Sequence, residues 1–125
     1  MKKSVLIAIP CPDKHDYCPA FYRAEERWLV EDDHGNTATI GLADFDVIVS
    51  WARSSTATTE AQFAQIIAEG KFPKGIVLVA DNEDAKVIDF SGALMSREQL
   101  AAFCVEAVAG NFDPDVVEAK ILAAV

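Results

Sequence analysis

The densest group of reactive side chains in the 125-residue sequence is Cys11-Pro12-Asp13-Lys14-His15-Asp16-Tyr17-Cys18, two thiols around one imidazole. Thiolate and imidazole are both zinc ligands, and His34 is available to join Cys11, His15 and Cys18 in a tetrahedral set. The spacing is unusual for that metal, because structural zinc sites place ligand pairs about two to four residues apart. The same two cysteines can close an eight-residue disulfide loop, which would remove about 2.5 kcal/mol of chain entropy from the unfolded state. A third chemistry is nucleophilic, a thiolate activated by His15, although no third group is present nearby to orient the base. In a reducing compartment the expected state is a pair of reduced thiols in a structured loop. A metal- or thiol-dependent protein built on Cys11, His15 and Cys18 is the alternative functional reading.

A second constellation is aromatic and basic. Tyr17, Phe21, Tyr22, Arg23 and Arg27 lie in or beside the stretch that contains Pro10, Pro12 and Pro19. Aromatic and Arg side chains dominate interface hot spots, and a proline-stiffened segment presents them at lower ordering cost. The competing expectation is that Phe21 and Trp28 enter the core and anchor the loop, since large apolar groups are usually buried.

Other candidates reduce to ordinary structure. Asp81-Asn82-Glu83-Asp84 follows a strand-like run, where open α/β sheets bind ligands, but Asp and Asn are also the residues that make turns. Asp44 and Asp46 beside Val47–Val49 raise the same ambiguity. No glycine-rich phosphate loop follows a predicted strand. The run Ser54-Ser55-Thr56 with Thr58 and Thr59 has no neighbouring His and no nucleophile elbow. With no assembled catalytic set and no cofactor motif, the sequence points away from an enzyme.

Charge narrows the partner class. Twenty acidic against eleven basic residues give a net charge of −9, spread along the chain with no Lys/Arg cluster. Such a field repels nucleic acid and anionic membranes and favours a protein partner with a basic surface, or plain solubility. The apolar run Val5–Ile9 behind Lys2 and Lys3 is shorter than a signal-peptide core, and Pro10 ends it. No stretch approaches a membrane span. An odd number of cysteines, three, without an export signal fits a cytoplasmic protein.

These groups need elements to hold them. Ser4–Ile9 reads as a buried strand, and Pro10–Glu26 as a long irregular loop. Arg27–Glu31 and Thr37–Leu42 flank a turn-forming Asp32-Asp33-His34-Gly35-Asn36 and read as a hairpin, with Ala38, Ile40 and Leu42 facing the core. Phe45–Trp51, rich in β-branched and aromatic residues, reads as a further strand. Thr59 with Gln62 forms a capping box ahead of a helix over about 60–69, closed by Gly70. Ile76–Ala80 and Ala85–Phe90 form a second hairpin. Ser96 with Gln99 repeats the box, and Leu100, Phe103, Cys104, Ala107 and Val108 share one helical face. Asp113-Pro114 opens a terminal helix. The expected fold is one α+β domain over residues 1–125, a mixed and mostly antiparallel sheet of about six strands with two to three helices on it.

Tyr22–Phe45, with Glu26-Arg27-Trp28-Leu29-Val30 and Thr39-Ile40-Gly41-Leu42-Ala43, resembles the opening of the lipoyl-carrying H protein of glycine cleavage. That family's modified lysine should follow on a later hairpin turn. Here that turn is Asp81–Asp84, without a lysine, so no function is carried over. The functional expectation is a small acidic cytoplasmic protein-binding or regulatory module that acts by protein contact.

Overall fold

The computed structural model describes residues 4–11, 18–32, 35–79 and 88–124. Among these, β1 (Val5–Ala8), β2 (Ala20–Arg23), β3 (Arg27–Glu31) and β4 (Thr37–Gly41) lead into α1 (Leu42–Ser54) and α2 (Glu60–Ala68). Then follow β5 (Ile76–Leu78), β6 (Ile88–Phe90), β7 (Ala93–Met95), α3 (Arg97–Val108) and α4 (Pro114–Ala123). The class is α+β, with two antiparallel sheets ordered β1-β2-β3-β4 and β5-β6-β7.

The β3–β4 hairpin forms where the alternation places it. Trp28, Val30, Ala38 and Ile40 are buried on one face, while Arg27, Glu31, Thr37 and Thr39 are exposed on the other. The second hairpin also stands, with Ile76 opposite Phe90 and Leu78 opposite Ile88; its turn lies outside the described residues. Both capping boxes are made. Thr59 Oγ1 accepts from Gln62 N at 3.2 Å, Ser96 Oγ accepts from Gln99 N at 3.0 Å, and each Gln side chain accepts from the cap backbone in return. Gly70 takes the left-handed conformation, φ 75°, that ends α2.

The structure corrects several expectations. Phe45–Trp51 is helical, the middle of α1, because Phe45, Ile48, Val49 and Ala52 are the buried residues. That is a 3.6-residue period, and packing on that stripe overrides strand propensity. With no strand there, nothing joins the two sheets into one, and no parallel pairing occurs among the described residues. Pro10–Glu26 is not all loop: Ala20–Arg23 is β2, paired to both β1 and β3. Ala93–Met95 is a seventh strand, reached through Ser91-Gly92 with φ 54° and 116°, the two positive values that a tight two-residue hairpin turn needs. Asp113 precedes α4 without capping it by hydrogen bond; its carboxylate instead pairs with Arg53, whose Nε donates to Ala107 O at 3.2 Å.

One core serves both sheets. Phe21 stacks on Phe103 with centroids 5.1 Å apart, and Trp28 stacks on Phe45 at 4.1 Å. Phe90 and Phe112 each lie 5.1 Å from Phe103, so rings from β2, β3, β6, α1 and α3 meet with that of the α3–α4 turn. Each such pair adds about 0.5–1.5 kcal/mol beyond area burial. Asp32, 7% exposed, ties the sheets by a polar route. Its carboxylate accepts from Asn36 N at 2.8 Å, Asn36 Nδ2 at 2.9 Å and, across to β7, Leu94 N at 2.7 Å.

Candidate functional site

Cys11, exposed, and Cys18, half-buried, are joined in a disulfide with Cα atoms 5.4 Å apart. The bridge links the segment after β1 to the segment before β2. It replaces the expected reduced pair, and while it stands neither sulfur is a thiolate able to ligate zinc or attack an electrophile. His15, Tyr17 and the other residues of 12–17 lie outside the described residues, as do His34, Asp81 and Asp84. Among the described residues no three His, Cys, Asp or Glu side chains gather around a possible metal position. Cys104 is buried, and desolvation pushes its thiol from the ordinary 9.0 up to about 12, so it is core and chemically quiet.

The aromatic and basic set divides between the two faces of the four-stranded sheet. Phe21, 0% exposed, is enclosed by four other rings and cannot touch a partner, which corrects its place in the set. Arg23 shares the inner cross-strand row Val5–Arg23–Trp28–Ile40. Its guanidinium carbon sits 5.9 Å from the Trp28 ring centroid, within reach of a cation–π attraction. Its Nη1 donates to Ala24 O and, at 2.9 Å, to Glu25 O. Tyr22 belongs to the outer row Leu6–Tyr22–Leu29–Thr39. Leu6 is 46% exposed, Tyr22 and Leu29 are half-buried, and exposed Arg27 stands on the same face. A shallow depression of about 290 Å³ there is lined by Ser4, Tyr22, Leu29, Glu31 and Thr37.

A second concavity, about 330 Å³, opens where β2, β3, α1 and α4 converge. Trp28 and Phe112 reach it from the core, Leu42, Pro114, Val117 and Ile121 supply aliphatic walls, and Arg23, Asp46 and Glu118 bring charge. Among the described residues, the side chains of Asp46 and Glu118 have no hydrogen bond or ion pair, and Arg23 pairs with neither. A third opening, between β1 and α4, is lined by Ser4, Val5, Leu6, Lys120, Ala123 and Ala124, where Lys120 Nζ donates to Ile7 O.

Sequence reasoning missed the cleft because residues 23, 46 and 118 come together only through tertiary packing. It missed the outer row for a simpler reason. Without β2, the alternation of Phe21 with Tyr22 had no partner strand to give it meaning.

These features define an α+β protein with an open sheet face and a charged cleft. No protein-family model, curated protein or solved structure matches the chain.

Proposed function

We propose that the chain is a protein-binding module whose outer sheet face docks a partner with a basic surface. The observation that carries this is the row Leu6–Tyr22–Leu29. It keeps part of its surface exposed on the face of a sheet whose other side already holds the core. An aromatic centre between two aliphatic neighbours is the composition of an interface hot spot. Glu31 lines the depression beside Tyr22, Glu25 and Glu26 stand at the adjoining β2–β3 turn, and the net charge of −9 adds a field that steers a basic partner. A cytoplasmic setting goes with this reading, and there the Cys11–Cys18 bridge would be transient.

The test is affinity capture at low and high salt, with Tyr22→Ala and Leu29→Ala as parallel baits, followed by titration of the purified captured protein. A basic protein held by the native chain, weakened by salt and lost with either variant, is the expected result. Capture of nothing, or equal capture by the variants, overturns the proposal.

The bridge itself favours one alternative, a thiol-dependent protein in which Cys11, exposed at the surface, reacts after reduction with His15 as base. Alkylation kinetics of the reduced chain at neutral pH test it. Labelling as slow as an ordinary thiol removes the nucleophile, and an unchanged melt with chelator removes the metal version.

A further inference from the structure

The cleft on the other side of the sheet has a composition that protein contact through the outer face does not use. Two carboxylates, Asp46 and Glu118, and one guanidinium, Arg23, line the same void, yet none of the three pairs with another. Opposite charges that share a cleft normally neutralise one another when side chains can reach. Here Arg23 is held back, with its Nη1 on the carbonyls of Ala24 and Glu25 and its guanidinium carbon 5.9 Å from the Trp28 ring centroid. Its Nη2 and Nε have no protein acceptor among the described residues. Those two groups form the edge that binds a carboxylate with two parallel hydrogen bonds. The carboxylates come from separate helices, Asp46 from α1 and Glu118 from α4, and are acceptors for an ammonium group.

We infer that this cleft binds a small zwitterion of the α-amino-acid type, its carboxylate on Arg23, its ammonium on Asp46 and Glu118, and an apolar side chain against Val117 and Ile121. A carboxylate alone would leave the acidic side uncompensated, and an amine alone would leave Arg23 uncompensated. A ligand with both charges on one carbon answers both sides at once. Size agrees: ligand pockets begin near 300 Å³, and about 330 Å³ admits an amino acid but not a dinucleotide. Trp28 and Phe112 supply a rigid aromatic base, so the apolar part of the ligand meets a surface that is already ordered.

The experiment is calorimetric titration of the intact chain with leucine, phenylalanine and lysine, with Trp28 indole NMR shifts as a second readout. Two single-charge analogues of leucine, 4-methylpentanoate and 3-methylbutylamine, serve as probes of each charge. The expected result is saturable binding of at least one amino acid that moves the Trp28 signal. Each single-charge analogue, and each of Asp46→Asn and Glu118→Gln, should bind about tenfold or more weakly, the effect of one charge-assisted hydrogen bond. Arg23→Gln should abolish binding; because Arg23 also holds the β2–β3 turn, the two exposed helix variants keep the test decisive if that one misfolds. No amino acid binding at about 10 mM, analogues binding as well as leucine, or both helix variants binding like the native chain would overturn the inference. None of these outcomes bears on the outer sheet face, so this site and the docking reading fail or stand separately.

Discussion

Phe21 and Tyr22 are consecutive residues of one strand, yet Phe21 is enclosed by four aromatic rings while Tyr22 points outward between Leu6 and Leu29. The same split recurs at Trp28 and Leu29 on the next strand, where Trp28 stacks on Phe45 and Leu29 joins the outer row. The two faces contain residues of similar hydrophobicity in different surroundings. On the inner face α1, α3 and the Phe112 turn close over the sheet. On the outer face Leu6 is exposed and Tyr22 and Leu29 are half-buried. Apolar side chains therefore build the core on one side and keep part of their surface exposed on the other, and the two-residue period of the strand is what separates them.

That comparison breaks most directly at the pair itself. Phe21→Ala should cost about 4 kcal/mol in urea unfolding, the range for emptying a packed aromatic site, whereas Tyr22→Ala should cost no more than about 1 kcal/mol. Equal costs would mean the outer row is structural. Asp32→Ala should cost about 2 kcal/mol, because it removes three charge-assisted bonds and leaves the part-buried Leu94 N–H without its acceptor. Hydrogen exchange at Leu94 should quicken with it, while Tyr22 stays unperturbed. Reducing the Cys11–Cys18 bridge should cost about 2.5 kcal/mol from loop entropy, visible as a lower urea midpoint, and should leave the ring packing of the inner face unchanged.

The last effect, seen only in alkali, belongs to Cys104, on the inner side. Below about pH 9 both folded and unfolded chains hold its proton, so it contributes no pH dependence. Between 9.0 and about 12 the unfolded thiol ionises and the buried one does not. Stability should therefore fall by about 1.4 kcal/mol per pH unit in that window. Comparing Cys104→Ala with the native chain between pH 8 and pH 11 isolates the slope; identical slopes would mean the thiol reaches solvent.

What the sequence made legible was local. Thr59 with Gln62 and Ser96 with Gln99 announce their helices because both halves of each cap lie within four residues. The β3–β4 hairpin reads correctly because its alternation and its turn residues agree. Phe45–Trp51 misled because Val47, Ile48 and Val49 favour strands intrinsically, while the stripe Phe45–Ile48–Val49–Ala52 that decides the matter needs the opposing sheet and α3 to give it weight. β2 was hidden inside a proline-rich segment, although Pro19 before Ala20 and Glu25-Glu26 after it mark its ends. Ser91-Gly92 was a turn signal too short to stand out. The cleft was out of reach altogether, because Arg23, Asp46 and Glu118 converge only once three elements have docked.

The carboxylate of Asp32 has one more effect. By taking the N–H of Leu94, it fills a backbone position on β7 where a strand from another molecule would otherwise bind. At the opposite border of that sheet Val77 and Val79 are 55% and 52% exposed. Edge-to-edge pairing of molecules through this sheet is thus hindered on one border and left to β5 on the other, so a charge placed at Val77 would be the direct means of hindering it there as well.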